Sequence, residues 1–179
     1  RDELYLGSFN PRWKRIFSDE ALFIFDELRI ESLRLYHCGS SSVPDLETKP
    51  IIDILGSVAS FEELDQRKQK LEDIGYQYKG EFGIKGRRYC ILSNPEKSMS
   101  FVHLHIFVEG DPEIEKHLQL RDHLRKSPEN RAAYMAQKRH LIEKVKIPKE
   151  QYSGAKNDII SKIQTDAHKQ ARQQNILAI

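Results

Sequence analysis

Residues 32–58 read SLRLYHCGSSSVPDLETKPIIDILGSV, and this stretch decides the fold. Residues 32–38 are rich in apolar side chains and end at Gly39-Ser40-Ser41-Ser42, which predicts a strand that runs into a loop. We call this loop the glycine-serine turn. A short helical turn is expected at residues 45–48. Residues 50–58 are β-branched and apolar, which is typical of a buried central strand.

The flanking segments supply helices and further strands. Apolar residues from Trp13 to Leu28 recur on one face of a helix, with Pro11 near its start. Residues 61–74 predict an amphipathic crossover helix that ends at Gly75. Three more strands are expected at residues 76–81, 87–92 and 101–108, as antiparallel additions to the sheet.

The carboxyl-terminal third is predicted to be helical. From Pro112 the apolar spacing is that of helices, with breaks at Ser127-Pro128 and at Pro148, a second helix to Val145 and a last one from Tyr152. We therefore expect one α/β (α+β) domain over residues 1–179. Its mixed sheet lies in residues 1–110, and residues 111–179 form a helical cover.

Composition excludes several classes of protein. The 179 residues are 39% hydrophobic and 31% charged, as in a globular domain. A formal charge of +2 argues against a nucleic acid as partner, because duplex binding needs a concentrated basic surface. No apolar stretch approaches the length of a membrane span. Cys38 and Cys90 form no Cys-x-x-Cys pair, which favours a reducing, cytoplasmic compartment.

The segment from Gly39 to Asp53 predicts a phosphate site beside a metal ligand. Glycine lets the backbone approach a ligand closely, and the serines and a following helical turn offer hydroxyl and amide donors to an anion. Asp53 interrupts an apolar strand. A buried carboxylate is costly unless a partner compensates it, and a divalent cation shared with phosphate oxygens is such a partner.

These residues resemble a known family. The segments His37-Cys38-Gly39-Ser40-Ser41-Ser42-Val43-Pro44 and Lys49-Pro50-Ile51-Ile52-Asp53-Ile54 are similar to the core of the GrpB family, which has a nucleotidyltransferase-like fold. Further similarity, in the same order along nearly the whole chain, lies at Pro11-x-Trp13, Gly75-Tyr76, Gly86-Arg87-Arg88, His103-x-His105, His117-Leu118 to Arg121-Asp122, Tyr134 to Lys138 and Tyr152 to Lys156.

The resemblance implies a function for the turn and for Asp53. In the wider superfamily, a Gly-Ser pair binds the phosphates of a nucleotide, which assigns phosphate binding to Gly39, Ser40 and Ser41. An Asp-x-Asp pair on the next strand holds the metals that activate phosphate transfer. Asp53 is accordingly the expected catalytic metal ligand, with Mg²⁺ or Mn²⁺ as the cofactor and a nucleotide or other phosphorylated small molecule as the partner.

One position departs from the superfamily pattern. Leu55 stands where an active member carries the second carboxylate, and a single aspartate cannot hold two cations roughly 4 Å apart. His103 and His105 are two residues apart on a predicted strand, so both project to one face. They are candidates to complete a single-metal site with Asp53.

Several basic residues are candidate phosphate ligands. Lys49 lies between the turn and Asp53 in sequence, and Arg88 is favoured over Arg87 because only one of two neighbouring strand residues faces a given cleft. Three more candidates each follow a family landmark by four residues on a predicted helix, and they depend on the resemblance: Arg121, Lys138 and Lys156.

Three hypotheses of function follow. The first is a nucleotidyltransferase-like protein that binds a nucleotide with a divalent metal and transfers a nucleotidyl group. The second is a catalytically silent binding or regulatory module that lost the chemistry with its second carboxylate, for which Leu55 is the evidence. The third is a metal-dependent hydrolase that uses Asp53, His103 and His105 around one cation, with water as the nucleophile.

Overall fold

The computed structural model describes residues 6–94 and 99–144 and the single residues 158, 161, 162 and 165. Within them, a sheet of five strands has the spatial order β1-β2-β5-β4-β3. The strands are β1 (Arg34–Cys38), β2 (Ile52–Val58), β3 (Tyr76–Tyr78), β4 (Arg87–Asn94) and β5 (Met99–Val108). β2 pairs in parallel with β5, and the other three pairings are antiparallel. The predicted mixed sheet is therefore confirmed.

Three helices cover one face of this sheet. They are α1 (Trp13–Leu28), α2 (Phe61–Asp65) and α3 (Lys68–Asp73). Their buried residues pack with Ile54 of β2 and Ile106 of β5 in the main core. Residues 61–74 were predicted as one helix, but they form two short helices, each of which keeps one fully buried leucine, Leu64 or Leu71, against the sheet.

One helix lies on the other side of β1 and β2, and a second packs against it and against Val43 and Leu46, which follow the glycine-serine turn. α4 (Pro112–Lys126) begins after Asp111, whose Oδ1 accepts a hydrogen bond from the Glu113 amide, and α5 (Pro128–Arg139) begins after Ser127 in the same manner. A π-helical turn follows at His140–Lys144. Val145 and most of the last predicted helix, from Tyr152, lie outside the described residues.

The helical turn near the glycine-serine turn is displaced from its predicted position. A 3₁₀ helix occupies Ser40–Ser42, and residues 45–48 are not helical. The prediction was wrong because the turn itself takes the helical conformation and ends at the extended Val43. Asp45 then has a positive φ of 65°, which a right-handed helical turn at residues 45–48 does not allow. None of the helices in the described parts of the chain combines the length and the apolar character that a membrane span requires.

A candidate metal centre beside the glycine-serine turn

Gly39 lies directly against the carboxylate of Asp53. Cys38 pairs with Asp53 across β1 and β2, and the chain leaves β1 at the next residue. Gly39 has φ 68° and ψ −174°, a combination that is essentially restricted to glycine. A Cβ atom at Gly39 would lie 2.4 Å from Asp53 Oδ2. The structure therefore brings the turn and the aspartate together, and it needs glycine there for space as well as for conformation.

The serine hydroxyl groups of the turn are bonded within the protein. Ser41 Oγ lies 3.0 Å from Nε2 of His37, and both residues are buried. Ser42 Oγ donates to the carbonyl of Gly39 at 2.6 Å. These hydroxyls hold the turn in shape, which differs from the predicted cluster of hydroxyl donors around one anion.

Lys138 reaches the glycine-serine turn from α5. Its Nζ donates to Ser40 Oγ at 3.3 Å and to the carbonyl of Glu47 at 3.1 Å, and only 2% of Lys138 is exposed. Ser40 Oγ also lies 3.3 Å from the hydroxyl of Tyr134, whose ring centre is 5.3 Å from the ammonium. The ammonium group of a buried lysine therefore contacts the turn directly, through the hydroxyl of Ser40.

Asp53, His103 and His105 form a cluster of metal-ligating groups, which we call the metal centre. Asp53 lies opposite His103 in the β2–β5 ladder, and alternation places all three side chains on one face. Asp53 Oδ1 is 3.6 Å from His103 Nδ1 and 3.4 Å from His105 Nε2. Bonds of about 2.1 Å place the donors of a tetrahedral cation roughly 3.4 Å apart. The carboxylate-to-imidazole spacings therefore fit one cation.

The donor atoms of this cluster favour a transition metal. Two imidazole nitrogens and one carboxylate oxygen lie within 4.8 Å of one another. Imidazole suits Zn²⁺, Fe²⁺ and similar ions, whereas Mg²⁺ prefers an all-oxygen shell. The three side chains are between 16% and 23% exposed, so a cation and a ligand have access to them.

Arg87 influences which nitrogen of His105 carries the proton. Its Nη1 lies 3.4 Å from His105 Nδ1, and because a guanidinium only donates, Nδ1 accepts and the Nε2 proton faces Asp53. Ligation of a cation through Nε2 instead requires the proton on Nδ1. In that tautomer the N–H groups of His105 Nδ1 and Arg87 Nη1, both donors, would face each other. Metal binding by His105 therefore requires the Arg87 guanidinium to move away.

Arg87, and not Arg88, is the arginine on the face of the metal centre. Its guanidinium donates to two carbonyls of the loop between β3 and β4 and lies 4.5 Å from the ring centre of Tyr89. Arg88 points to the opposite face, where it forms two 3.0 Å hydrogen bonds with the carboxylate of Asp65. The prediction that Arg88 faces the site is wrong, because this bidentate pair fixes it on the other side.

Two aromatic side chains beside the metal centre were not identified from the sequence. The ring centre of Tyr89 lies 4.9 Å from that of His105, and burial and the nearby Asp53 carboxylate raise the pKa of Tyr89 to about 12. The His117 ring lies 6.2 Å from that of His105, and burial lowers the pKa of His117. Tyr89 follows Arg87 by two residues, so strand alternation could have found it. No pattern in the sequence pointed to His117 as a neighbour of the site.

The remaining predicted phosphate ligands lie in different places. Arg121, on α4, donates from Nη1 to the carbonyl of His37 at 3.1 Å and so contacts the end of β1. Lys49 is half-buried in the segment that leads into β2. Lys156 lies outside the described residues.

Leu55 occupies the position of the missing second carboxylate. It is fully buried and packs with Cys38 and Phe107 beneath α4. It shares the face of Asp53, as predicted from alternation. The strand that carries the metal centre therefore continues into an apolar layer, and β2 offers Asp53 no second carboxylate two residues on.

Comparison with known proteins gives the relatives of this chain. The GrpB family model, described as GrpB protein, matches residues 3–166. The UPF0157 protein YqkA of Bacillus subtilis (strain 168) is 32% identical over 167 residues, which are 93% of the chain and 48% of that protein, so the chain spans about half of its length.

Two solved structures are similar to this fold. The crystal structure of conserved protein GrpB from Enterococcus faecalis has a TM-score of 0.82 and 35% identity, and the match covers 93% of this chain and 99% of that one. The structure of Cid1 in complex with its short product ApU has a TM-score of 0.52 and 12% identity over 73% of this chain and 41% of that one. The second likeness is one of fold alone.

Proposed function

Because this chain belongs to the GrpB family and has a nucleotidyltransferase-like fold, we propose that it binds one divalent cation together with a nucleotide or other phosphorylated small molecule. The cation is held by Asp53, His103 and His105. The phosphate lies against the adjoining glycine-serine turn.

One observation carries this proposal: the metal centre and the turn share Asp53. Its Oδ1 faces the two imidazoles at 3.4 and 3.6 Å, while its Oδ2 lies where a side chain at Gly39 would be. A ligand on the backbone of the turn is therefore next to the carboxylate. The product ApU bound by Cid1, which shares the fold, supports a nucleotide as the class of ligand.

The side chains around this place suit an anion. Arg87 stands beside His105, and Lys138 stands behind Ser40. When bound, a divalent cation would neutralise charge on phosphate oxygens. Arg87, once displaced from His105, has its Nη1 donors available for a phosphate oxygen, and guanidinium groups bind phosphate in this way.

The donor set favours Mn²⁺ or Zn²⁺ over Mg²⁺, and this bears on the reaction. Nucleotidyl transfer by two cations needs more anionic ligands than Asp53 alone, and Leu55 supplies none. The geometry therefore favours metal-dependent binding without nucleotidyl transfer. Hydrolysis of a phosphate ester is a second candidate function, because two histidines and one carboxylate are also the ligands of hydrolytic zinc sites.

Calorimetry on metal-free protein without a histidine tag tests the proposal. We expect one equivalent of Mn²⁺ or Zn²⁺ to bind, and His105→Gln to weaken this binding at least about 100-fold, since even outer-shell changes cost 10–100-fold. His140→Gln is the matched control, because His140 is an exposed histidine outside the cluster. Wild-type protein that binds neither cation, or equal binding by both variants, would contradict the metal centre.

Titration with nucleoside triphosphates then tests the ligand. We expect ATP or UTP to bind more tightly when Mn²⁺ is present, and chromatography of the mixture separates binding from hydrolysis or transfer. If the metal binds but no nucleotide does at about 1 mM, the upper end of common substrate affinities, the phosphate part of the proposal is wrong.

A further inference from the structure

A pocket of about 580 Å³, apart from the metal centre, lies at the open edge of the sheet. β1 is the edge strand there, and α1 and α4 flank it. Ser41 and Ser42 line this pocket, whereas Gly39 and the three residues of the metal centre do not. We call it the β1-edge pocket. Its volume falls in the range of small-molecule sites, about 300–1,000 Å³.

The β1-edge pocket carries a concentrated positive charge. None of its lining residues is acidic among those the structure describes. Four of its lining side chains are cationic, namely Lys14, Arg121, Arg125 and Arg131. The nearest acidic partners stand outside the wall. Asp122 binds Arg121 at 2.8 Å and is 47% exposed, and Asp45 lies 3.9 Å from Arg131 and is 81% exposed. The pocket is thus positive although the chain is nearly neutral.

Uncharged backbone carbonyls hold Arg121 and Arg125 in place, and of these two Arg121 also pairs with the carboxylate of Asp122. Arg121 Nη1 donates to the carbonyl of His37 at 3.1 Å, and Arg125 Nε donates to the carbonyl of Ser42 at 2.9 Å. A guanidinium has five N–H donors, so each arginine retains donors for a ligand. In the described residues, neither Nη atom of Arg125 has a hydrogen-bond partner.

A stacked aromatic pair, Phe17 and His37, is part of the pocket lining. The rings of Phe17 and His37 are stacked, with centres 4.8 Å apart and planes 8° from parallel. Burial lowers the pKa of His37 to about 4; Asp53 opposes this shift, and Arg125 and Arg121 add to it. His37 is therefore a neutral ring at neutral pH. It is only 7% exposed and Phe17 is stacked on it, so the half-buried Phe17 offers the aromatic surface to a ligand.

We propose that the β1-edge pocket binds a small molecule in which a phosphate group is attached to a flat aromatic body. The arginines contact the phosphate, because guanidinium groups bind its oxygens in pairs. The aromatic body packs on Phe17, whose ring is itself stacked on the buried His37. No metal takes part. The pocket shares Ser41 and Ser42 with the glycine-serine turn but contains neither Gly39 nor the metal centre, so the proposal does not rest on the function of the metal centre.

Isothermal titration with 1-naphthyl phosphate, in buffer with EDTA, tests this site. We expect a Kd between about 1 μM and 1 mM. Binding of 1-naphthol, which lacks the phosphate, and of inorganic phosphate, which lacks the aromatic body, should be much weaker. Arg125→Gln should weaken the binding about tenfold, which is the loss of one charged hydrogen bond. Lys14→Gln should weaken the binding as well, because Lys14 is an exposed residue that lines the pocket from another helix, α1.

Lys126→Gln is the matched control, because Lys126 is the exposed neighbour of Arg125 on α4 and does not line the pocket. Binding that both pocket variants weaken and the control does not supports the site. No binding by the wild type, equal binding by Lys14→Gln and Lys126→Gln, or binding that requires Mn²⁺ would overturn it. Because EDTA removes the metal, a negative result leaves the function of the metal centre untouched.

Discussion

Substitution of Gly39 by alanine tests whether the glycine-serine turn and the metal centre form one unit. A residue other than glycine at φ 68° and ψ −174° costs about 1–3 kcal/mol in conformational strain. The added Cβ would also lie 2.4 Å from Asp53 Oδ2 and 2.9 Å from its Cγ. Neither distance is tolerated between non-bonded atoms, so the carboxylate of Asp53 must move.

Gly80→Ala is the control that separates these two effects. Gly80 has a similar φ of 62°, but a Cβ there would meet nothing within 4 Å. We expect it to lower the free energy of unfolding by about 1 kcal/mol, and Gly39→Ala to lower it by about 3 kcal/mol. For a chain of this size, the difference corresponds to about 4–8 °C in Tm.

Two measurements decide the outcome. Thermal unfolding of the metal-free variants, followed by circular dichroism, gives the difference in stability. Calorimetric titration with Mn²⁺ should show a loss of affinity for Gly39→Ala alone, because only this change displaces a metal ligand. The reasoning is refuted if the two variants have the same Tm and Gly39→Ala binds Mn²⁺ as the wild type does.

Three further predictions follow from the contacts around the metal centre and β1. Arg87→Met should raise the affinity for Zn²⁺ by up to about tenfold, because it removes the donor that opposes the metal-binding tautomer of His105. Arg88→Met, on the opposite face, should leave the affinity for Zn²⁺ unchanged, and calorimetry compares the two variants. The free energy of unfolding should fall as the pH drops from about 6.5 towards 4, because the pKa of His37 is about 4 in the folded protein and the unfolded chain takes up the proton first. Between pH 7 and pH 5, urea unfolding should show a smaller loss of stability for the uncharged variant His37→Gln than for the wild type. Leu55→Asp should destabilise the fold by at least about 3 kcal/mol in urea unfolding, because it buries a carboxylate in an apolar layer, whereas Leu55→Met should cost less than about 1.5 kcal/mol.

Much of the architecture could be predicted from local patterns. The apolar spacing from Trp13 to Leu28 indicated α1, and the β-branched run before Val58 indicated β2. Alternation placed Asp53 and Leu55 on one face, and likewise His103 and His105. Local patterns did not predict that β2 pairs in parallel with β5, which is the pairing that brings the aspartate to the histidines. That pairing joins segments about fifty residues apart, which no local periodicity specifies.

The failures involve side chains whose partners are distant in sequence. Arg88 was favoured for the site, but Asp65, 23 residues earlier, holds it on the opposite face. The sequence offered the serine hydroxyls as donors to an anion, but it did not indicate that Ser40 contacts Tyr134 and Lys138, more than ninety residues later. Composition and motif establish which groups are available. Only tertiary contacts establish which of them are already used.

A metal centre with one carboxylate couples the proposed cation to the proposed phosphate. Asp53 contributes one negative charge, and imidazoles bind metals as neutral groups, so a bound divalent cation retains a net positive charge. Arg87, displaced from His105 by the cation, adds a further positive charge on the same face of the sheet. A second carboxylate on β2 would reduce this excess, but Leu55 replaces it with a buried apolar side chain. A phosphate on the glycine-serine turn would supply the missing negative charge, so we expect it to strengthen binding of the cation. Linkage then requires that the cation strengthen binding of the phosphate by the same factor.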